Sequence, residues 1–201
     1  MTGFISPPER MPPWLRAGIW YAEREAGEAL LPARLLAWHP PAAFSSGILE
    51  ALIARGDKDL NPRILQLVRL QISLAIACPF CIQMNSAELE ANAITPEEVE
   101  ILRDQRDPAG AETLNQRERL AIRYARLISS APLAFPPDFV AELTANFTER
   151  EIVILATTAA QVNYWARLIQ ALGVPVPGTA DRCALPVRDE GLEKAGRPEQ
   201  A

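Results

Sequence analysis

Apolar residues recur along this chain at intervals of three and four, and no segment sustains strict apolar–polar alternation. That pattern predicts helices and no sheet, with proline marking the joints between periodic segments. The opening to about Pro13 is proline-rich and reads as an arm. Trp14 to Leu31 forms a first helix with Leu15, Ile19, Ala22, Ala26 and Ala29 on one stripe. Leu35 to Trp38 is a short turn closed by His39-Pro40-Pro41, and Phe44 to Arg55 a helix ended by Gly56, a residue tolerant of the left-handed conformation.

The central segment starts at Asn61-Pro62, a cap followed by proline at the first helical position. Ile64, Leu67, Val68, Gln71, Ile72 and Ala75 line one face, and Leu65, Leu74 and Ile76 carry apolarity round most of the circumference. Such a helix belongs inside a bundle. It must stop before Pro79, because the residue preceding a proline disfavours helical geometry. A new helix runs from Pro79 to about Glu90, with Asn92 as its left-handed cap.

Thr95-Pro96-Glu97-Glu98, Asn115-Gln116-Arg117-Glu118 and Thr148-Glu149-Arg150-Glu151 are capping boxes. They open helices to about Leu102, along a stripe of Leu120, Tyr124, Leu127 and Ile128, and to about Leu172 before Gly173. Asp104 to Ala111 is a loop, and Asp138 to Ala145 a short helix. The expectation is a single-domain, all-α antiparallel bundle of roughly seven helices. Residues 1–30 form the arm and first helix, 31–175 the helical domain, and 176–201 a polar tail.

Composition narrows the function more than the fold. A net charge of −5 over 201 residues argues against a nucleic-acid surface. No basic cluster precedes an apolar run at the start, and no stretch approaches the roughly 20 uninterrupted apolar residues of a membrane span. A cytoplasmic protein is expected, with no nucleic-acid or membrane partner. Three cysteines in a chain of this size do not make a disulfide scaffold. Two of them, Cys78 and Cys81, are spaced C-x-x-C, which reads as redox-active or metal-binding.

A cysteine capping a helix sits beside unpaired backbone N–H groups and the positive end of the helix dipole, which favour the thiolate. Pro79, directly after Cys78, fits a helix start there. The competing reading is two small hydrophobes that fall three apart in a buried helix; the proline favours chemistry. A structural zinc wants four ligands, and beyond this pair the chain offers only Cys183 in the tail and His39. No metal or organic cofactor is expected. His39 reads as a turn residue and Cys183 as a spare thiol, whereas Tyr124 and Trp165 read equally as core aromatics. Arg69, one turn from Gln66, could bring positive charge to a thiolate and bind substrate.

Leu67-Val-Arg-Leu-Gln-Ile-Ser73 leading into Cys78-Pro-Phe-Cys81-Ile-Gln-Met-Asn85 resembles the signature of the carboxymuconolactone decarboxylase and AhpD-like alkylhydroperoxidase family. Ala91 to Glu98, Asn115 to Tyr124, and Gln161-Val-Asn-Tyr-Trp-Ala-Arg167 before Gly173-Val-Pro175 extend the likeness from about Leu31 to Pro175. The resemblance implies an all-helical homo-oligomer (dimer, trimer or hexamer) and, in the AhpD-like branch, a thiol peroxidase. It implies Cys81 as attacking and Cys78 as resolving thiol, a hydroperoxide or other small-molecule substrate, and a thiol reductant or redox adaptor protein as partner. The family's proton relay, a glutamate twelve residues before the first cysteine and a histidine four after the second, falls here on Gln66 and Asn85. Both keep size and hydrogen bonding but lose the titratable group. General-base help is worth about 10²–10⁴-fold, so a weak peroxidase is expected. The alternatives are a lactone decarboxylase, for which the site is poor in acids and bases, and a non-catalytic, redox-sensing oligomer.

Overall fold

The computed structural model describes residues 3–54 and 60–176. Among them are nine α-helices and no strand: α1 Pro13–Ala26, α2 Leu31–Leu36, α3 Pro40–Leu49, α4 Pro62–Ala75, α5 Pro79–Asn85, α6 Pro96–Arg103, α7 Gln116–Ser129, α8 Pro137–Asn146 and α9 Glu149–Ala171. A π-helical turn, Glu50–Ala54, extends α3, and a 3₁₀ turn, Pro108–Gly110, lies between α6 and α7. The all-α expectation holds, with more and shorter helices than the periodicity suggested.

The departures have local causes. Helix α1 ends at Ala26 because Gly27 turns left-handed (φ 71°). Helices α2 and α3 begin with prolines in their first turn, where the missing N–H costs nothing, so Pro40 and Pro41 open a helix instead of closing a turn. Helix α5 is only seven residues long. The left-handed residue beyond it is Ala93 (φ 52°), while the Asn92 side chain donates to the Glu88 carbonyl. Gly56 and Cys183 lie outside the described residues.

Helix α4 is the axis of the bundle. Leu65, Val68 and Ile72 pack with Leu120, Ala121 and Tyr124 of α7, Phe139 and Leu143 of α8, and Leu155, Ala159 and Val162 of α9. Leu67 and Leu70, on the opposite side, pack with Val99, Ile101 and Leu102 of α6 and with Ile94, Leu114 and Ile122. Helix α9 is long and apolar enough by length and composition to cross a membrane. Its buried residues, including the polar Thr158 and Gln161, are spent on the inside of this bundle.

One cation organises the entry to α4. In both the α6 and the α7 capping box, the glutamate accepts from the cap residue's N–H through Oε2, at 2.9 Å in each case. The other oxygen of each meets Arg63, with Nη2 2.6 Å from Glu98 Oε1 and Nε 2.8 Å from Glu118 Oε1. Arg63 Nη1 also donates to the carbonyls of Asn92 and Ala93. Burial pushes the Glu98 carboxyl up, but the Thr95 N–H, Arg63 and Thr113 outweigh it and hold it below its ordinary value.

A depressed carboxyl contributes stability that is complete above its unfolded value, about 4.3, and is lost as pH falls through the folded one. Arg63→Met strands two nearly buried carboxylates. Because the guanidinium itself is 18% exposed, the expected loss is near the low end for a broken buried pair, about 3 kcal/mol at pH 7. Urea unfolding at pH 7 and pH 3 measures it, and the gap from the wild type should narrow at the lower pH. Equal stability at pH 7 would show that the cluster contributes nothing.

Candidate active site at the Cys78–Cys81 dithiol

Helix α4 stops at Ala75, Ala77 takes a left-handed conformation (φ 51°), and Cys78 becomes the extended N-cap of α5 with Pro79 in the first turn. The Cys78 sulfur therefore accepts the Cys81 N–H at 3.3 Å, as a serine or aspartate cap would. Both thiols are free, and they lie one helical turn apart.

The two sulfurs sit in unequal surroundings. Cys78 is drawn down, first by the hydrogen bond from the Cys81 thiol and then by the N–H groups of Cys81 and Phe80, against the opposing effect of burial. Cys81 is driven up, because its proton is held by Cys78 and because it is buried. Negative charge in the reduced pair is thus favoured at Cys78, the sulfur that caps the helix, over Cys81. For Cys81 to attack, the role the resemblance implies, the shared proton must first pass to Cys78.

Neither sulfur faces open solvent in the single chain. Cys78 is 0% and Cys81 4% exposed, enclosed by Phe80, Ala166 and Ile169, with Ile76, Trp165 and Val174 partly buried around them.

Gln66 and Asn85 are brought together. Gln66, 3% exposed, donates to the Asn85 carbonyl at 2.6 Å. Asn85 donates to Ser73 Oγ at 3.0 Å, and Ser73 donates to the Arg69 carbonyl at 2.8 Å. A neutral chain of hydrogen bonds thus ties α4 to α5 at the two positions where the resemblance implies a titrating relay. Arg69 on α4 is largely buried, which lowers its basicity, while Glu50 and Glu88 act in the opposite direction.

Glu50 was not found from the sequence. It comes from the π turn, and its Oε2 accepts from Gln161 and Trp165, each at 2.8 Å. A glutamate in a moderately apolar helix carries no local signal of that role. Tyr124 stacks on Phe135, with centroids 5.3 Å apart, as a core aromatic. His39 is exposed at the start of α3.

The model of the carboxymuconolactone decarboxylase family matches residues 42–126, a span that contains α4, the dithiol and most of α7. The matched segment contains both cysteines, Gln66 and Asn85, while Gln161 and Trp165 lie beyond it. No curated protein sequence matches the chain.

Among solved structures, the fold is similar to three of low identity. A peroxidase-related protein from Silicibacter sp. TM1040 has TM-score 0.72 and 15% identity, over 90% of this chain and 94% of its own. An AhpD-core peroxidase-related protein from Ralstonia eutropha JMP134 has TM-score 0.71 and 18% identity, over 88% and 93%. The debrominase Bmp8 has TM-score 0.70 and 18% identity, over 86% and 91%. These likenesses establish the AhpD-like fold.

The unequal thiols give a direct expectation. The absorbance of thiolate near 240 nm should show one cysteine titrating below the ordinary 8.5. In Cys81→Ala, which removes the largest cause of the lowering, that step should move up. An unchanged midpoint in this variant would show that the Cys81 proton is not shared.

Proposed function

We propose that the protein is a thiol-dependent oxidoreductase of the alkylhydroperoxidase type, in which Cys78 and Cys81 cycle between dithiol and disulfide. The observation that carries this reading is the helix-capping Cys78 sulfur, which accepts the backbone N–H of Cys81 one turn on. The thiolate is the nucleophilic form of cysteine. We therefore exchange the roles implied by the resemblance: Cys78 attacks and Cys81 resolves.

The Cys78 thiolate attacks the outer oxygen of a hydroperoxide. The O–O bond breaks, the sulfur becomes a sulfenic acid, and the departing alkoxide takes a proton to leave as alcohol. Cys81 then attacks the sulfenic sulfur, forming the disulfide and releasing water. Two electrons and two protons from a thiol reductant or redox adaptor protein restore the dithiol. No metal or organic cofactor enters the cycle, and Arg69 is proposed as the cation that draws substrate in.

Activity is slow in this scheme, because Gln66 and Asn85 cannot relay protons. A homo-oligomer is part of the proposal. Phe44, Ile48 and Leu52 form an exposed apolar stripe along α3 and the π turn, of the kind that marks an interface. The lactone decarboxylase reading is disfavoured because Gln66 and Asn85 supply neither acid nor base. In that reading, a carboxymuconolactone-like substrate would still be consumed by Cys81→Ser.

Peroxide turnover with a dithiol reductant tests the proposal. Gln66→Glu/Asn85→His should raise the rate by about 10²-fold or more, the scale of general-base help. If restoring both groups leaves a negligible rate unchanged, the peroxidase reading fails. In Cys81→Ser a sulfenic acid should be trapped at Cys78. A sulfenic acid found at Cys81 in Cys78→Ser, with none at Cys78 in Cys81→Ser, returns the attacking role to Cys81.

A further inference from the structure

The segment Gln161 to Arg167 has no part in the dithiol cycle itself, yet it contains the side chains that join the cysteines to a carboxylate on another element. Trp165 packs against the cluster formed by Cys78, Phe80, Cys81, Ala166 and Ile169. Its indole N–H donates to Glu50 Oε2 at 2.8 Å. The same oxygen accepts from Gln161 Nε2, one turn earlier on α9 and 4% exposed. An aromatic ring packed on the cluster that holds both sulfurs is therefore fixed at its polar edge by a single exposed carboxylate.

The carboxylate's own placement is unusual. Glu50 opens the π turn Glu50–Ala54 that extends α3, where the wider turn follows directly on Leu49. Arg69, one turn along α4 from Gln66, is electrostatically linked to the same glutamate. One carboxylate thus reaches the α9 wall of the dithiol and the α4 cation together.

We infer that Glu50 is a positioning residue for the dithiol, acting through Trp165 to hold the indole wall closed over Cys78 and Cys81. This goes beyond the oxidoreductase reading but rests on the same dithiol. It assigns to a glutamate outside the relay positions the control of what reaches the sulfur. Glu50 touches neither sulfur in this role, so it governs access and leaves the thiolate's acidity alone.

The test is native-state alkylation of the full chain with iodoacetamide across a pH series, read by mass spectrometry of the Cys78–Cys81 peptide. It needs no peroxide, so it stands whether or not turnover is found. A hydrogen bond to a charged group is worth enough to shift an opening equilibrium by about tenfold. Glu50→Ala should speed alkylation by about that factor, at an unchanged pH midpoint. Trp165→Phe keeps an aromatic side chain, smaller than the indole, but not the N–H; it should be at least as fast, and the double variant should be no faster than Trp165→Phe alone. Glu50→Gln keeps an acceptor oxygen and should restore most of the protection. Unfolding curves identify any variant whose fold is lost, and Trp165→Phe, the mildest change, then carries the comparison. Alkylation as slow in Glu50→Ala and Trp165→Phe as in the wild type overturns the inference. So do effects that multiply in the double variant, or a shifted midpoint in Glu50→Ala.

Discussion

Pro79 has no backbone N–H to give, and its ring disfavours helix in the residue before it. The chain must therefore leave α4, turn through Ala77 and begin again, with Cys78 as the cap of α5. The chemistry proposed for the protein depends on that restart. Had α4 continued, Cys78 would be one more buried helical position, its sulfur beside no free N–H group. Because the helix restarts, a backbone built to be capped by oxygen is capped by sulfur. The dipole and the amides of α5 then favour negative charge where the surrounding side chains are apolar.

This restart holds only because the elements around it are fixed. Arg63 binds the starts of α6 and α7 to the start of α4 through glutamates that already serve as capping groups. Each carboxylate thus satisfies a helix end with one oxygen and the cation with the other. Further along α4, Gln66 and Ser73 fasten α5 back onto it through Asn85, by hydrogen bonds alone. The axis helix is held by charge at its entrance and by neutral polar groups beyond it. Arg117 and Glu151, 2.5 Å apart, repeat the first arrangement at the start of α9.

Much of this was legible in the chain. Capping boxes are spelled out by two residues three apart, and all three form as written. The cysteine cap was readable for the same reason, since Pro79 fixes where the helix begins. Helix ends without such chemistry were misjudged. The left-handed Gly27 shortened α1, and Pro40 started a helix although prolines also end them. The site was half visible. Cys78 and Cys81 announce themselves by spacing, and the resemblance singles out Gln66 and Asn85, but Glu50 meets Trp165 across a sequence separation of 115 residues. Only the packing of the π turn on α9 brings them together, and no local pattern encodes it. The division of charge between the sulfurs was likewise invisible, because it depends on which thiol donates to which.

The bonds from Gln66 to Asn85 and from Asn85 to Ser73 join amides, a carbonyl and a hydroxyl, none of which gains or loses a proton in water at ordinary acidity. A carboxylate and an imidazole in the same places would rearrange their donors and acceptors as the medium turned acidic or basic. Here the fastening between α4 and α5 keeps one wiring diagram from mild acid to mild base, so a change of state at the cysteines that open α5 leaves it unaltered.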